Sequence, residues 1–262
     1  MDPAALEEAR ARRWWRSRRR IGSIERAAEF IDDVGFALLF PKTGVALPSL
    51  WEAASDRPIQ ELGQEWGQDA ERIWGWKDEL PLRGLAWYGS FVRGRKSFLS
   101  HGLLIDLYPW PGRPEDVQEA DLGPDAARIA RVLLRSGPQS TAVLREATNM
   151  EGKAGGDRFS KAAGELGRKL LVTHLGTQEE GAGWPAAVLE LTARAFRIPR
   201  RRDFEMARLR ATGAFLDTMV RVRPYELGNA FGWGADAARV CLEELVSGGQ
   251  AVADGNGFLA RP

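Results

Sequence analysis

Asp125-Ala-Ala-Arg-Ile129-Ala-Arg-Val132-Leu133-Leu-Arg135, closed by Ser136-Gly137-Pro138, opens the segment whose reading decides the fold. Ile129, Val132 and Leu133 share one helical face, and the Gly-Pro pair stops the helix. Ser140 then opens a short helix through Thr148. Residues 151–156 read as a glycine-rich loop, and Asp157 opens a third helix running to Arg168. Residues 169–175 and 184–191 are β-rich runs joined by a turn over 176–183. Three helices followed by a two-stranded hairpin is the order of a winged helix.

The order recurs downstream. Residues 203–221 predict a long helix carrying Phe204, Leu209, Phe215, Leu216, Met219 and Val220, and 224–231 a short one. In 234–246, Ala237, Cys241 and Leu245 recur every four residues, which predicts a third helix. A tight hairpin over 250–260 turns at Asp254-Gly255-Asn256-Gly257.

Upstream the chain is rich in tryptophan: Trp14, Trp15, Trp51, Trp66, Trp74, Trp76, Trp87 and Trp110, read mostly as core or groove walls. Ser23 caps a helix that turns Ile24, Ala27, Ala28 and Ile31 inward and ends at Gly35. Residues 36–40 read as a buried strand or a turn, and a second helix follows Pro48. Residues 66–107 show helical spacing interrupted near 78–83, which predicts two helices. Tyr108-Pro-Trp-Pro-Gly-Arg-Pro114 is a linker that no helix tolerates. The expected architecture is mainly α with small β-hairpin wings, in tandem winged-helix domains. A Trp-rich helical or winged-helix-like domain spans 1–115, with winged-helix domains over 116–200 and 201–262.

With 44% hydrophobic and 28% charged residues in 262, the chain reads as globular and is neither collagenous nor broadly disordered. Cys241, the one cysteine, cannot form a disulfide within the chain, and two histidines beside it are too few for a zinc site of the usual kind. No metal is therefore expected. No apolar run reaches the roughly 20 residues of a membrane span, and no apolar core follows the N-terminal charges, so the expected location is cytoplasmic.

Net charge is +1, so the partner must be sought in local clusters. Arg10, Arg12, Arg13, Arg16, Arg18, Arg19 and Arg20 surround Trp14 and Trp15 as a cationic arm or a solvated terminus. The third helix of a winged helix enters the major groove, so in the 116–200 copy the candidate DNA contacts are Arg158, Lys161, Arg168 and Lys169, with Arg145 and Lys153 on the approach. In the last copy Arg239 is answered by Glu243 and Glu244, which reads as a packing or protein-interaction module. Arg93, Arg95 and Lys96, and Arg200, Arg201 and Arg202 beside Arg197, are two further clusters that would complete a phosphate-binding surface. Contacts of this kind hold a DNA backbone without reading bases, and the expected partner is double-stranded DNA.

No Gly-x-Ser-x-Gly elbow, phosphate loop or dinucleotide fingerprint is present. The candidate catalytic carboxylates are Asp33 and Asp78. Asp33 follows Asp32, and adjacent helical positions point to different sides. Asp78 lies among aromatic residues in Trp74-Gly-Trp-Lys-Asp-Glu-Leu-Pro81, where helix capping is the plainer reading.

Gly35-Phe-Ala-Leu-Leu-Phe40, the aromatic stretch from Ala86 to Leu104 leading into Leu107-Tyr-Pro109, and the tandem winged helices together resemble the AlkZ/YcaQ group of bacterial DNA glycosylases. The resemblance implies winged helices around a DNA channel and excision of alkylated or crosslinked purines without a cofactor. It also implies a catalytic Gln-x-Gln or Gln-x-Asp triplet shortly after a Leu-Gly pair. With Gly35 on that glycine, the two polar positions fall on Leu38 and Phe40, neither of which orients water. The expectation is a DNA-binding relative that recognises damaged or distorted DNA without the usual catalytic residues. Two alternatives stay open: an active glycosylase with a relocated carboxylate at Asp33 or Asp78, and a regulatory protein-interaction module.

Overall fold

A computed structural model describes residues 1–17, 21–63, 65–179, 185–199 and 203–261. The chain begins with α1 (Pro3–Arg13), then α2 (Ile24–Val34), β1 (Phe36–Leu38), α3 (Leu50–Ala54), α4 (Gln68–Leu82), β2 (Trp87–Ser90), β3 (Lys96–Leu99), α5 (His101–Leu107) and α6 (Asp116–Glu119). It continues with α7 (Pro124–Ser136), β4 (Gln139–Ser140), α8 (Thr141–Ala147), α9 (Gly152–Arg168), β5 (Val172–Gln178), β6 (Ala186–Leu191) and α10 (Thr192–Ala195). The last part is α11 (Phe204–Met219), β7 (Arg221–Val222), α12 (Pro224–Phe231), α13 (Ala235–Ser247), β8 (Ala251–Asp254) and β9 (Gly257–Ala260).

The molecule is mainly helical with three small antiparallel sheets, ordered β1-β3-β2, β4-β6-β5 and β7-β9-β8. Each sheet belongs to one helix–strand–helix–helix–strand–strand run, and in each the last strand lies between the other two. That element order therefore occurs three times. Among the described residues no helix is long and apolar enough to cross a membrane.

Local chemistry accounts for the element ends. Ser23, Ser100 and Ser140 accept backbone N–H groups of Arg26, Leu103 and Val143 and so cap α2, α5 and α8. Gly35, at φ 76°, ends α2. Asp116 is fully buried and folds the proline linker around itself: its Oδ2 accepts from the Tyr108 hydroxyl (3.0 Å) and the N–H groups of Gly112 (2.8 Å) and Arg113 (2.9 Å). Two apolar clusters are local, one within residues 21–98 and one within 117–191. A third joins residues from both ends of the chain, including Phe36, Trp87, Phe91, Phe215 and Phe231.

Three expectations are corrected. Residues 84–107 do not form a second helix; they form β2, β3 and the short α5. Trp87 pairs with Leu99 and Tyr88 with Phe98 across the strands, and the Tyr88 and Phe98 rings stack at 4.5 Å. Such cross-strand packing outweighs the helical spacing of the apolar residues, and Arg93 and Gly94, both at positive φ, supply the turn. Residues 152–156 belong to α9 and not to a loop, because Gly155 lets the first turn close on Met150: a Cβ there would lie 2.4 Å from the Met150 carbonyl carbon. Of the N-terminal arginines among the described residues, Arg10 and Arg13 are committed to the fold, whereas Arg12 is exposed and pairs with Glu8 on its own helix. Trp14 is buried with its indole N–H on the Thr218 carbonyl (2.7 Å), Arg10 donates to the Met219 carbonyl (3.1 Å), and Arg13 pairs with Asp217 (2.7 Å).

Candidate nucleic-acid interface

The β2–β3 hairpin stands where the three repeats meet. Gly167, in the last turn of α9, sits so close to Ser90 of β2 that a Cβ would lie 3.1 Å from both the Ser90 N and O atoms. Ser90 is the register partner of Lys96. Lys96 and Arg168 therefore flank one contact between the first and second repeats. On the other side Phe91 stacks on Phe231 of α12 at 6.0 Å, which ties the hairpin to the third repeat.

The sheets of the first two repeats are joined through side chains. The Tyr88 N–H donates to the Thr173 hydroxyl (3.4 Å), which donates back to the Tyr88 carbonyl (3.3 Å). The indole N–H of Trp87 donates to Thr192 Oγ1 (3.1 Å). Thr173 and Thr192 are fully buried, so this seam is dry and its polar groups are paired.

The basic residues singled out in the sequence meet different fates. Arg93, Arg95 and Lys96 are exposed on the hairpin, and Arg168 is exposed beside them. Lys169 is half-buried and its carbonyl accepts the Trp110 indole N–H (3.0 Å). Lys153 and Lys161 are exposed along α9, and Lys161 and Arg168, seven residues apart, share a face. Arg158 turns away to Asp125 of α7, with Nη2 at 2.7 Å and Nε at 2.9 Å. Arg128 engages the same carboxylate, and the two guanidinium groups push its pKa down to about 2. Arg145 lies 5.1 Å from the centre of the Phe159 ring. Arg200, Arg201 and Arg202 lie outside the described residues.

A continuous row of side chains leads from this hairpin along the seam. The Lys96 ammonium is 5.8 Å from the Tyr88 ring centre, and the Tyr88 and His174 rings meet edge to face at 5.7 Å. His174 Nε2 is 2.5 Å from Asp78 Oδ1, and Lys77 Nζ is 2.5 Å from Asp78 Oδ2. Lys77 also sits 4.5 Å from the centre of the Trp74 ring. Desolvation lowers the Lys96 pKa and raises that of Tyr88. Desolvation also lowers the His174 pKa, against the pull of the Asp78 carboxylate. For Asp78, desolvation pushes upward, but hydrogen bonds from His174 and Lys77 and the Lys77 charge outweigh it and leave the pKa below the ordinary carboxylate range. Asp78 is thus a paired anion that orients its neighbours, and a weak base at neutral pH.

Asp33 is also held. It pairs with Arg13 (2.9 Å), accepts the Trp15 indole N–H (2.6 Å), and keeps its side chain half exposed. The adjacent Asp32 differs: desolvation raises its pKa, with the charge of His101 acting in the opposite sense. His101 is brought beside the end of α2 because the Ser100 N–H donates to the Gly35 carbonyl (2.8 Å), and His101 Nε2 meets the Arg197 carbonyl at 3.0 Å. The sequence reading reached Asp78 through the tryptophans around it but not His174, which is 96 positions away with no spacing signal to connect them.

No curated protein and no solved structure matches the chain. A family model described as AlkZ related matches residues 21–225, a span that takes in the first two repeats, the hairpin junction and the start of the third. That match extends over most of the sequence, and the chain belongs to the AlkZ-related family.

Proposed function

We propose that this chain binds double-stranded DNA through the surface built around the β2–β3 hairpin and α9, as a member of a glycosylase-like family that lacks the usual catalytic triplet. Each repeat is read as a winged helix, with modules over 1–115, 116–200 and 201–262. The observation that carries the reading is the approach of Gly167 to Ser90, the register partner of Lys96: the hairpin that bears exposed Arg93 and Arg95 packs against the end of α9 that bears exposed Arg168. Cations that arrive from two repeats at one contact suit a phosphate backbone, and their long flexible side chains suit binding that is independent of sequence.

Loss of catalysis is supported by the positions aligned with the family triplet. Leu38 is 3% exposed in the apolar cluster, and Phe40 packs among aromatic rings. The test uses the full chain and fluorescent duplex DNA at low salt, where binding is expected and Arg95→Ala with Arg168→Ala weakens it. Unaltered affinity in the double variant contradicts the assigned surface. Incubation with alkylated duplex is expected to leave no abasic sites.

One observation favours a second reading as an active glycosylase. Asp33 is paired with Arg13 and Asp78 with Lys77 and His174, whereas desolvation raises the pKa of Asp32, which makes Asp32 the candidate general base of this reading. Abasic sites that form with the native chain and vanish in Asp32→Asn would establish it.

A further inference from the structure

Phe40, Trp66 and Trp74 form an aromatic corner at the end of the row that begins at Lys96. The Phe40 and Trp74 rings lie nearly parallel, 18° apart in plane with centres at 6.3 Å. Trp66 stands across both, at 63° and 5.9 Å from Phe40 and at 78° and 5.9 Å from Trp74. Trp66 is 51% exposed and Trp74 43%, and neither belongs to any of the three apolar clusters. Two exposed indoles fixed against a third ring are preorganised surface, since the ordering of their side chains is done before a ligand arrives.

We infer that this corner is a stacking site for one unpaired nucleobase of a DNA strand whose backbone follows the cationic hairpin; the inference rests on the DNA-binding reading above and names the part of the DNA that the α4 end of the surface takes. Charge separates the two ends of the row. The exposed Arg93 and Arg95 of the hairpin offer full cations for phosphate, whereas at the corner Asp78 holds Lys77 (2.5 Å) and Arg57 holds Asp69 (2.9 Å). A neutral, planar, heteroaromatic group suits the second environment better than a phosphate does. Stacking on tryptophan tolerates any base because every base has a π face, so the site recognises the unstacked state and not a sequence. An apolar peptide is the competing occupant, and its signature differs because it needs apolar area and no ring plane.

The full chain is titrated into two duplexes of one sequence, one fully paired and one with a single bulged 2-aminopurine. The native protein is expected to bind the bulged duplex about tenfold more tightly and to quench its emission. Trp66→Ala and Trp74→Ala are each expected to reduce the bulged affinity towards the paired value and to leave the paired value unchanged. Trp74→Leu keeps an apolar side chain without a ring face and is expected to behave as the alanine variant does. It also serves as the working variant should an alanine unfold. Equal binding of the two duplexes, or a bulge preference that survives in Trp66→Ala and Trp74→Ala, overturns the stacking site alone. A preference retained in Trp74→Leu but lost in Trp74→Ala means apolar burial and overturns it too. Failure to bind either duplex overturns both this inference and the DNA-binding reading.

Discussion

His174 Nε2 lies 2.5 Å from Asp78 Oδ1 and ties α4 of the first repeat to β5 of the second. Both partners are largely withdrawn from water, with side chains 6% and 24% exposed. Their pairing therefore fixes the seam along which the row of side chains runs.

That pair makes stability depend on pH. The folded His174 pKa is lowered, by desolvation first and by Lys96 and Lys77 in addition, so the unfolded chain takes up the proton more readily. Its contribution is complete above about pH 6.5 and declines as pH falls below that value. The lowered Asp78 pKa adds a separate loss that begins only below about pH 4. Melting temperature should hold steady from about pH 8 to 7 and fall towards pH 5. His174→Gln should flatten that fall and leave the loss at stronger acid. A native melting curve that does not move between about pH 7 and 5 would contradict the assignment.

The glycines of α9 should separate by what surrounds them. Gly167→Ala places a methyl group 3.1 Å from the Ser90 backbone, so it should destabilise the protein by about 1–3 kcal/mol and weaken DNA binding through the seam. Nothing lies within 4 Å of a Cβ at Gly156, and Gly156→Ala should stabilise by about 0.5–1 kcal/mol, the usual helix preference for alanine. Urea unfolding of the two variants checks the order; equal effects contradict the packing described.

Asp125 holds Arg158 and Arg128 in ion pairs at the surface. Asp125→Ala removes one negative charge and frees two guanidinium groups next to the exposed face of α9. Duplex affinity at low salt should rise, and fluorescence anisotropy reads the change. A decrease in affinity, with the fold intact by circular dichroism, would mean that Asp125 orders Arg158 for binding and does not withhold it.

The second repeat is legible in the sequence because the Ser140 cap, the Gly137-Pro138 stop and the apolar spacing agree with one another, and the third because apolar residues recur every four positions before the tight turn at Asp254-Gly255. The first repeat is obscured. Trp87, Tyr88, Phe98 and Leu99 fit a helical period as well as a strand pair, and only the register Tyr88↔Phe98 decides between them. Asp78 is detectable because Trp74 and Trp76 flank it, yet its partners His174 and Lys96 arrive through tertiary packing that local spacing does not encode. The arginines around Trp14 show the reverse failure: in the fold Arg10 and Arg13 of that cationic cluster bond Met219 and Asp217, beside the Trp14 indole N–H on Thr218. Likewise Arg158 looks available on α9 until Asp125 of α7 is placed against it.

The salt dependence of duplex affinity tests the central claim most directly, measured for the native chain and for Arg93→Ala combined with Arg168→Ala. If cations from the hairpin and α9 grip one DNA backbone, affinity should fall steeply with salt. The slope of log affinity against log salt should then become shallower by about two units in the double variant. A slope identical in the two proteins, or no binding by the native chain at low salt, would contradict the account.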